Sequence, residues 1–190
     1  MHLAVTHGAA NCPGGSRQLR WQAFEMGALI HFNMATFDGA CATDAATFDP
    51  KSLDTDQWAQ SFVDMGVKEA VLVVKHGCGF TLWPSNATEP DGSRYNYSVW
   101  SAGRDDVVAR FRDSCNTRGI GVGYYYSLGS NKYAQNKGWS PEQLAHSQSP
   151  VAIEARAGCS RSTAVVDLDK RVEQVTSIDD FLAPMTAQRF

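Results

Sequence analysis

Three short segments of the chain are almost continuously apolar and predict buried β-strands. They cover residues 27–37, 70–74 and 120–127. Short apolar runs without regular polar alternation are typical of strands that are covered on both faces, as in a parallel sheet. We therefore expect three buried strands, the first of which carries His31 within it.

The segment between the first two strands predicts a helix with one buried face. Residues 54–57, Asp-Thr-Asp-Gln, resemble a capping box, and Gly66 is a good helix stop. Apolar side chains recur between them at helical spacing, at Trp58, Phe62 and Met65. We expect these three side chains to face the core.

Two further helices are predicted along the chain. Asp105 and Asp106 place negative charge at a helix start, where it suits the helix dipole. The apolar face of that helix comprises Val107, Val108, Phe111 and Cys115. A third helix is expected from residues 140–143, Ser-Pro-Glu-Gln, which read as an N-cap, a proline at the first helical position and a capping glutamine.

The order strand, helix, strand, helix, strand predicts an α/β fold built from parallel βαβ units with right-handed crossovers. After about residue 153 the pattern has no usable period, apart from a short apolar stretch at residues 164–166. We therefore expect one domain with at most a fourth strand in its tail.

Composition and charge exclude several classes of function. The chain has 190 residues with a net charge of -3, so it offers no basic surface for nucleic acid or an anionic membrane. It contains no run of about 18 apolar residues that could span a bilayer. The first fifteen residues lack the apolar core of a signal peptide, so we expect an intracellular protein or one whose amino terminus is missing.

The cysteines and the glycosylation motifs bear on the cellular compartment of the protein, but less strongly. The five cysteines form no close CxxC pair and are too few for a disulfide scaffold, and at least one must stay unpaired. Asn86 and Asn96 begin two Asn-X-Ser/Thr acceptor motifs in one polar loop, residues 84–103, which favours the secretory route.

Polar residues gather at the predicted carboxyl ends of the strands, where parallel α/β proteins bind ligands. They are His31, Lys75, His76 and the tyrosines 124–126. A lone histidine in a strand is more often a hydrogen-bonded core residue, but equivalent positions on successive strands favour a ligand site. With Phe32, Phe80 and Trp83 nearby in sequence, the set suits a ligand with hydroxyl groups and an apolar face, such as a sugar.

Other chemistries find less support in the sequence. His76 and Cys78 could begin a metal site, but no second pair at ligand spacing accompanies them. Cys78 could be a nucleophile, although a buried inert thiol is the commoner state. Residues 119–123 contain three glycines, but they enter a strand and do not form a phosphate-binding loop.

An ordered set of motifs resembles the α-L-fucosidases of glycoside hydrolase family 29. The motifs are WQAFEMGALIHF (21–32), FDP (48–50), QWA (57–59), VKHGCGFTLW (74–83), YSV (97–99), GRDDVV (103–108) and GVGYYYS (121–127). The resemblance covers about residues 17–148. It implies a (β/α)8 TIM-like catalytic barrel, of which this chain holds about three to four βα units.

The resemblance also implies an activity and roles for individual residues. Members of the family remove terminal α-L-fucose from fucosylated glycans by a retaining mechanism, without metal or cofactor, and are lysosomal or secreted. His31 and His76 look like the histidines that hydrogen-bond the fucose hydroxyls, and Tyr125 looks like the tyrosine that lines the sugar pocket. We expect these three side chains to share one pocket.

Three departures from the family pattern stand out. Where the family often has His-His-Asp-Gly-Phe, this chain has Gly77 and Cys78 in place of the second histidine and the aspartate. The loop after the first strand lacks the usual tryptophan and has Cys41 in that vicinity. The Trp-Phe-Asp-Gly-like nucleophile motif and the later acid/base are absent, which leaves Asp167 as a weak nucleophile candidate; a surface aspartate is the commoner reading.

We therefore expect a flexible segment at residues 1–20, the amino-terminal half of a glycosidase barrel at 21–153 and a divergent tail at 154–190. Such a truncated form would lack the catalytic carboxylates and be inactive. Its open strand edges would favour self-association. The alternatives are a non-catalytic fucose-binding remnant and, if the motifs coincide by chance, an unrelated doubly wound α/β protein.

Overall fold

The computed structural model describes residues 23–127, 130–147, 163–168 and 171–175, with side chains described up to residue 144. These residues form one five-stranded sheet whose spatial order follows the chain. The strands are β1 (Gly27–Ile30), β2 (Glu69–Lys75), β3 (Gly121–Ser127), β4 (Thr163–Leu168) and β5 (Arg171–Val175). The first four strands are parallel, and β5 pairs antiparallel with β4.

Helices connect the parallel strands, as the sequence pattern predicts. They are α1 (Ala35–Asp38), α2 (Thr55–Met65), α3 (Val107–Thr117), α4 (Lys132–Asn136) and α5 (Pro141–Ser147), with a 3-10 turn at Ala45–Thr47. The α/β class is confirmed. The described residues form an open sheet and not a closed barrel.

Helix α2 begins and ends where the sequence predicts, but one of the side chains predicted to face the core is exposed. The Asp54 carboxylate accepts a hydrogen bond from the Gln57 amide at 2.9 Å, and Gly66 ends the helix with a left-handed φ of 78°. Phe62 is buried, whereas Met65 is 55% exposed, so its predicted place in the core is wrong. Met65 is the last residue of the helix.

The other two helix predictions are confirmed in detail. Asp106 caps α3 through the Ala109 amide at 3.0 Å, and the face that the sequence predicts is buried. At α5 the Ser140 hydroxyl accepts from the Gln143 amide at 3.2 Å, while the Gln143 side chain accepts from the Ser140 amide at 2.8 Å. These reciprocal bonds satisfy amides that the helix itself leaves without acceptors.

Strand β1 differs most from its prediction. It spans only Gly27–Ile30 and not residues 27–37, and it pairs with β2 alone among the described strands. Its residues alternate between exposed and half-buried, and Leu29 is 57% exposed. The apolar run therefore belongs to an edge strand, and its continuation, Ala35–Asp38, turns into α1.

The core lies between the sheet and the helices and is rich in aromatic rings. Phe48 is fully buried and packs against Phe32, Phe37 and Phe80 at centroid distances of 5.8, 5.0 and 4.8 Å. Phe80 is fully buried, and Trp83 is 4% exposed. The expectation that these aromatic residues provide an apolar wall for a ligand is therefore wrong for Phe80 and Trp83, because they are part of the core.

The long polar loop, residues 84–103, folds back on the core. The rings of Tyr97 and Tyr133 stack in parallel with centroids 4.6 Å apart, and Tyr97 is 1% exposed. The buried Glu89 carboxylate accepts hydrogen bonds from the Tyr133 hydroxyl and the Lys137 ammonium, both at 2.6 Å. The loop after β2 is thereby fixed to the segment after β3.

Candidate functional site

The three residues predicted to contact a ligand lie side by side. His31 directly follows β1, His76 directly follows β2, and Tyr125 lies near the end of β3. The ring centroids of His31 and His76 are 5.5 Å apart, and those of His76 and Tyr125 are 6.2 Å apart. The parallel register, in which Val73 is opposite Tyr125, brings these ends together.

The row of His31, His76 and Tyr125 faces solvent. Both histidines are exposed, and Tyr125 is half-buried. Imidazole nitrogens and the phenol oxygen can each donate or accept hydrogen bonds. Three rings that can bond a polar ligand therefore lie next to one another at the carboxyl ends of β1, β2 and β3.

Lys75 precedes His76 in the chain but points into the fold. It is 1% exposed, and its ammonium donates to the backbone oxygens of Ser127 at 2.5 Å and Ser130 at 3.0 Å. It also lies 4.9 Å from the centroid of the Tyr126 ring. Burial lowers the pKa of Lys75 to about 7. Its role is to hold the segment after β3, so its expected place among exposed ligand-binding groups is wrong.

A disulfide joins the two loops that carry the histidines. Cys41, in the loop after β1, is bonded to Cys78, two residues beyond His76. Two hydrogen bonds support the same junction, from Asn33 Nδ2 to the Phe80 oxygen at 3.3 Å and from the Tyr97 hydroxyl to the Ala42 oxygen.

The disulfide corrects three expectations about cysteine. Cys78 is neither an inert thiol nor a free nucleophile, and as half of a cystine it supplies no thiolate to a metal. Among the described cysteines only Cys115 is free; it is buried, and desolvation raises its pKa to about 12. Cys12 and Cys159 lie outside the described residues. The described part of the chain contains no group of three His, Cys, Asp or Glu residues placed to hold a metal.

Sequence reasoning missed Asn131, which links the two loops beside the row of rings. Asn131 is fully buried and caps α4 by accepting from the Ala134 amide at 3.0 Å. Its amide nitrogen donates to the Tyr95 hydroxyl at 3.1 Å, and that hydroxyl donates to the Gly79 oxygen at 2.8 Å. An asparagine three residues before Ala134 is an N-cap signal that the sequence contains.

Carboxylates near the strand ends have structural partners. Asp38 accepts hydrogen bonds from the Ala40 and Ala42 amides at 2.9 and 2.7 Å. Burial opposes ionisation of Glu89, but hydrogen bonds from Lys137, Tyr133 and the Asn96 amide outweigh it and lower its pKa. Glu89 is therefore a fixed anion and a poor proton donor at neutral pH.

Asp167, the nucleophile candidate, lies in β4 one residue before its end. Its backbone is opposite Ser127 of β3 and Val172 of β5. This places its backbone at the carboxyl end of a fourth parallel strand, and its side chain lies outside the described part of the structure.

Two other surface features lie outside the row of rings. Asn86 and Asn96 are both exposed, as acceptors of N-glycans must be. A polar cavity of about 400 Å³ lies between the segments that precede α2 and α3. Its lining residues are Asp49, Pro50, Lys51, Leu53, Gly103, Arg104, Asp105, Val107 and Arg110. Within the described ranges, no helix is long and apolar enough to cross a membrane.

Comparison with known proteins decides the family. The family model described as Alpha-L-fucosidase matches residues 18–165, a segment that contains His31, His76 and Tyr125. The chain belongs to the alpha-L-fucosidase family.

Individual members of the family are similar over the same region. Alpha-L-fucosidase 1 of Arabidopsis thaliana is 37% identical over 120 residues, which are 59% of this chain and 22% of that protein. Tissue alpha-L-fucosidase of Mus musculus is 32% identical over 111 residues, 57% of this chain and 23% of that protein. The matches thus span less than a quarter of these relatives.

The fold agrees with a fucosidase structure as well. A crystal structure from Bacteroides ovatus that is assigned as an alpha-L-fucosidase is 35% identical, with a TM-score of 0.54. The match covers 66% of this chain and 22% of that one. Membership of the family, inferred from the ordered motifs, is confirmed.

Proposed function

We propose that this chain forms the fucose-recognising part of an α-L-fucosidase, a retaining glycosidase that removes terminal α-L-fucose from glycans. The observation that carries the proposal is the solvent-facing row of His31, His76 and Tyr125 within the segment that matches the family. Three polar rings from three successive strands suit the several hydroxyl groups of one sugar.

In the proposed site the histidines bind and orient the sugar. Their nitrogens donate to or accept from the hydroxyl groups of fucose, and Tyr125 closes the end of the row. Glycoside hydrolysis passes through an oxocarbenium-like transition state, and hydrogen bonds to sugar hydroxyls that strengthen there lower the barrier. His76, the middle ring, would contribute most because it adjoins both others.

We further propose that the parallel strands belong to a (β/α)8-type catalytic domain, to which this chain contributes three to four βα units. Strands β1 to β4 are parallel and in sequential order, which supports this assignment. The antiparallel strand β5 departs from such a barrel. The departure begins in the tail, where the motifs of the family also end.

The 190-residue chain by itself is not expected to hydrolyse fucosides. A retaining glycosidase requires a nucleophilic carboxylate and an acid/base about 5 Å apart. Asp38 and Glu89 are engaged in structural hydrogen bonds. Of the nucleophile candidates in the described ranges we assign only Asp167, whose backbone lies near the end of β4. One carboxylate does not complete the pair.

The proposal predicts that the chain binds L-fucose but does not turn over an aryl fucoside. Titration calorimetry should show saturable binding of L-fucose and none of its mirror image, D-fucose. His76→Ala should weaken binding about two- to tenfold, the equivalent of one net hydrogen bond. Release of p-nitrophenol from p-nitrophenyl α-L-fucoside should equal that of an Asp167→Asn control.

Two results would contradict this account in different ways. Equal affinity for both mirror-image sugars, or no binding of L-fucose, would contradict the proposed fucose site. Robust turnover that Asp167→Asn abolishes would instead establish Asp167 as the nucleophile and a complete catalytic pair.

A lysosomal or secreted location is also part of the proposal. The Cys41–Cys78 disulfide and the exposed acceptors Asn86 and Asn96 both suit the oxidising secretory route. Treatment of the chain from a eukaryotic host with an N-glycosidase should lower its apparent mass in two steps, and Asn86→Gln and Asn96→Gln should each remove one step.

A further inference from the structure

Residue 77, next to His76 in the candidate site, has no side chain, and another segment fills the space beside it. A Cβ added to Gly77 would lie 3.3 Å from Ser130 Oγ and 3.7 Å from Ser130 Cβ. The Ser130 side chain therefore lies where a side chain from the His76 segment would otherwise extend.

Backbone contacts fix the position of Ser130 relative to this segment. The buried ammonium of Lys75 donates to the Ser130 oxygen at 3.0 Å. The Lys132 amide donates to the Gly77 oxygen at 2.8 Å. These bonds join Ser130 and Lys132 to residues 75–77, and neither uses the Ser130 side chain. The hydroxyl is consequently not needed for the connection.

The chemistry of the hydroxyl suits a sugar. A serine hydroxyl donates one hydrogen bond and accepts two. Ser130 is half-buried, and the hydrogen bond from Lys75 uses its backbone oxygen and not its hydroxyl. It lies beside residue 77, and the adjacent His76 ring is exposed. The hydroxyl thus adjoins the residue that follows His76, which makes it a candidate for a second contact with a ligand bound there.

We propose that Ser130 is a further ligand-contacting residue, whose hydroxyl binds a fucose hydroxyl adjacent to the one bound by His76, and that Gly77 makes the room for it. This inference rests on the proposed fucose site. It assigns to the segment after β3 a part in sugar specificity, in addition to Tyr125. A larger residue at position 77 would crowd the Ser130 hydroxyl, since an added Cβ already lies 3.3 Å from it.

The test measures L-fucose affinity of the 190-residue chain by titration calorimetry. Ser130→Ala should weaken binding about two- to tenfold, because one hydrogen bond is lost. Ser52→Ala, an exposed serine before α2, is the matched control and should bind as the unchanged chain does. A purely structural role for Ser130 would lower the unfolding midpoint in urea and leave the affinity unchanged.

A second variant tests the partnership with Gly77. Gly77→Ala places a methyl group against the hydroxyl and should weaken binding to the same extent as Ser130→Ala. The double variant should lose no more than either single one, since both act on one contact. Losses that add in the double variant would overturn the partnership.

The outcomes separate this inference from the proposed function. If the unchanged chain binds L-fucose and His76→Ala weakens binding but Ser130→Ala does not, the inference about Ser130 is overturned and the fucose site stands. If the unchanged chain does not bind L-fucose, both are overturned.

Discussion

A side chain at position 79 would collide with Asn131, because an added Cβ would lie 2.1 Å from Asn131 Oδ1. Gly79 also has a φ of 95°, in the region that favours glycine. Since Asn131 is fully buried and bonded to Ala134 and Tyr95, it has no free direction in which to move. The glycine is thus required by the contact between the loops after β2 and β3.

We expect Gly79→Ala to lower the free energy of unfolding by about 2–4 kcal/mol, the sum of backbone strain and overpacking. Gly92→Ala is the matched control: its φ is 83°, but nothing lies within 4 Å of an added Cβ. It should cost only the strain, about 1 kcal/mol. Urea unfolding of both variants measures the difference, and equal losses would contradict the role given to Asn131.

Lys75 makes stability depend on pH through its buried ammonium. Its pKa is about 7 in the folded chain because of desolvation, against 10.5 for an ordinary lysine. Between these values the unfolded chain binds more protons, so stability rises as pH increases above about 7. Below pH 7 both states are charged, and the cost of burial is fully present.

The free energy of unfolding should therefore increase from pH 7 to pH 9, and Lys75→Met should remove most of this increase. Cys115, with its pKa raised to about 12, acts in the opposite direction only above about pH 9. Urea titrations at pH 7, 8 and 9 measure the slope. A Lys75→Met chain with the slope of the unchanged protein would refute the assignment.

At the scale of elements, the disulfide Cys41–Cys78 closes a loop with a sequence separation of 37 residues. This loop contains the 3-10 turn at Ala45–Thr47, α2 and all of β2. A cross-link over such a length stabilises mainly by restricting the unfolded chain. It also fixes the loop after β1 against the loop after β2, beside His31 and His76.

Reduction, or the double change Cys41→Ser with Cys78→Ser, should lower the free energy of unfolding by about 3–4 kcal/mol. Reductant added to the double variant serves as the control, because any further loss there comes from Cys12, Cys115 or Cys159 and not from the Cys41–Cys78 bond. Equal stability of the oxidised and reduced chains would show that the bond is not formed in solution.

Local signals account for the elements that the sequence predicts well. The caps at Asp54, Asp106 and Ser140 are set by residues within three positions of each other, so the pattern alone contains them. The edge position of strand β1 and the Cys41–Cys78 bond depend on contacts between residues that are far apart in the sequence. The local pattern of apolar and polar residues does not contain that information. The same holds for Ser130, whose importance depends on a glycine 53 positions earlier.

At the scale of the molecule, β1 is an edge strand in the sheet that the described residues form. Its residues, Gly-Ala-Leu-Ile, carry no charge, and Leu29 and the neighbouring Met26 are 57% and 51% exposed. Proteins usually protect such edges with charged residues, proline or a covering element. The self-association expected from the sequence would therefore involve this strand.

We expect Leu29→Lys to shift the chain toward the monomer, because a charge on β1 opposes pairing with another strand. Met65→Lys is the control: Met65 is 55% exposed but belongs to a helix and pairs with no strand. Sedimentation velocity over a range of protein concentrations measures the effect. If both variants associate to the same degree, β1 is not the contact.

The two edges of the sheet differ in their capacity to recruit another strand. The far edge, β5, contains Arg171 and Glu173 within five residues, whereas β1 is wholly apolar. A protein that can pair through both edges of its sheet forms polymers of unlimited length. A protein that can pair through one edge only stops at the dimer. For a chain that associates through β1, the difference between β1 and β5 predicts a pair related by a two-fold axis and not fibres.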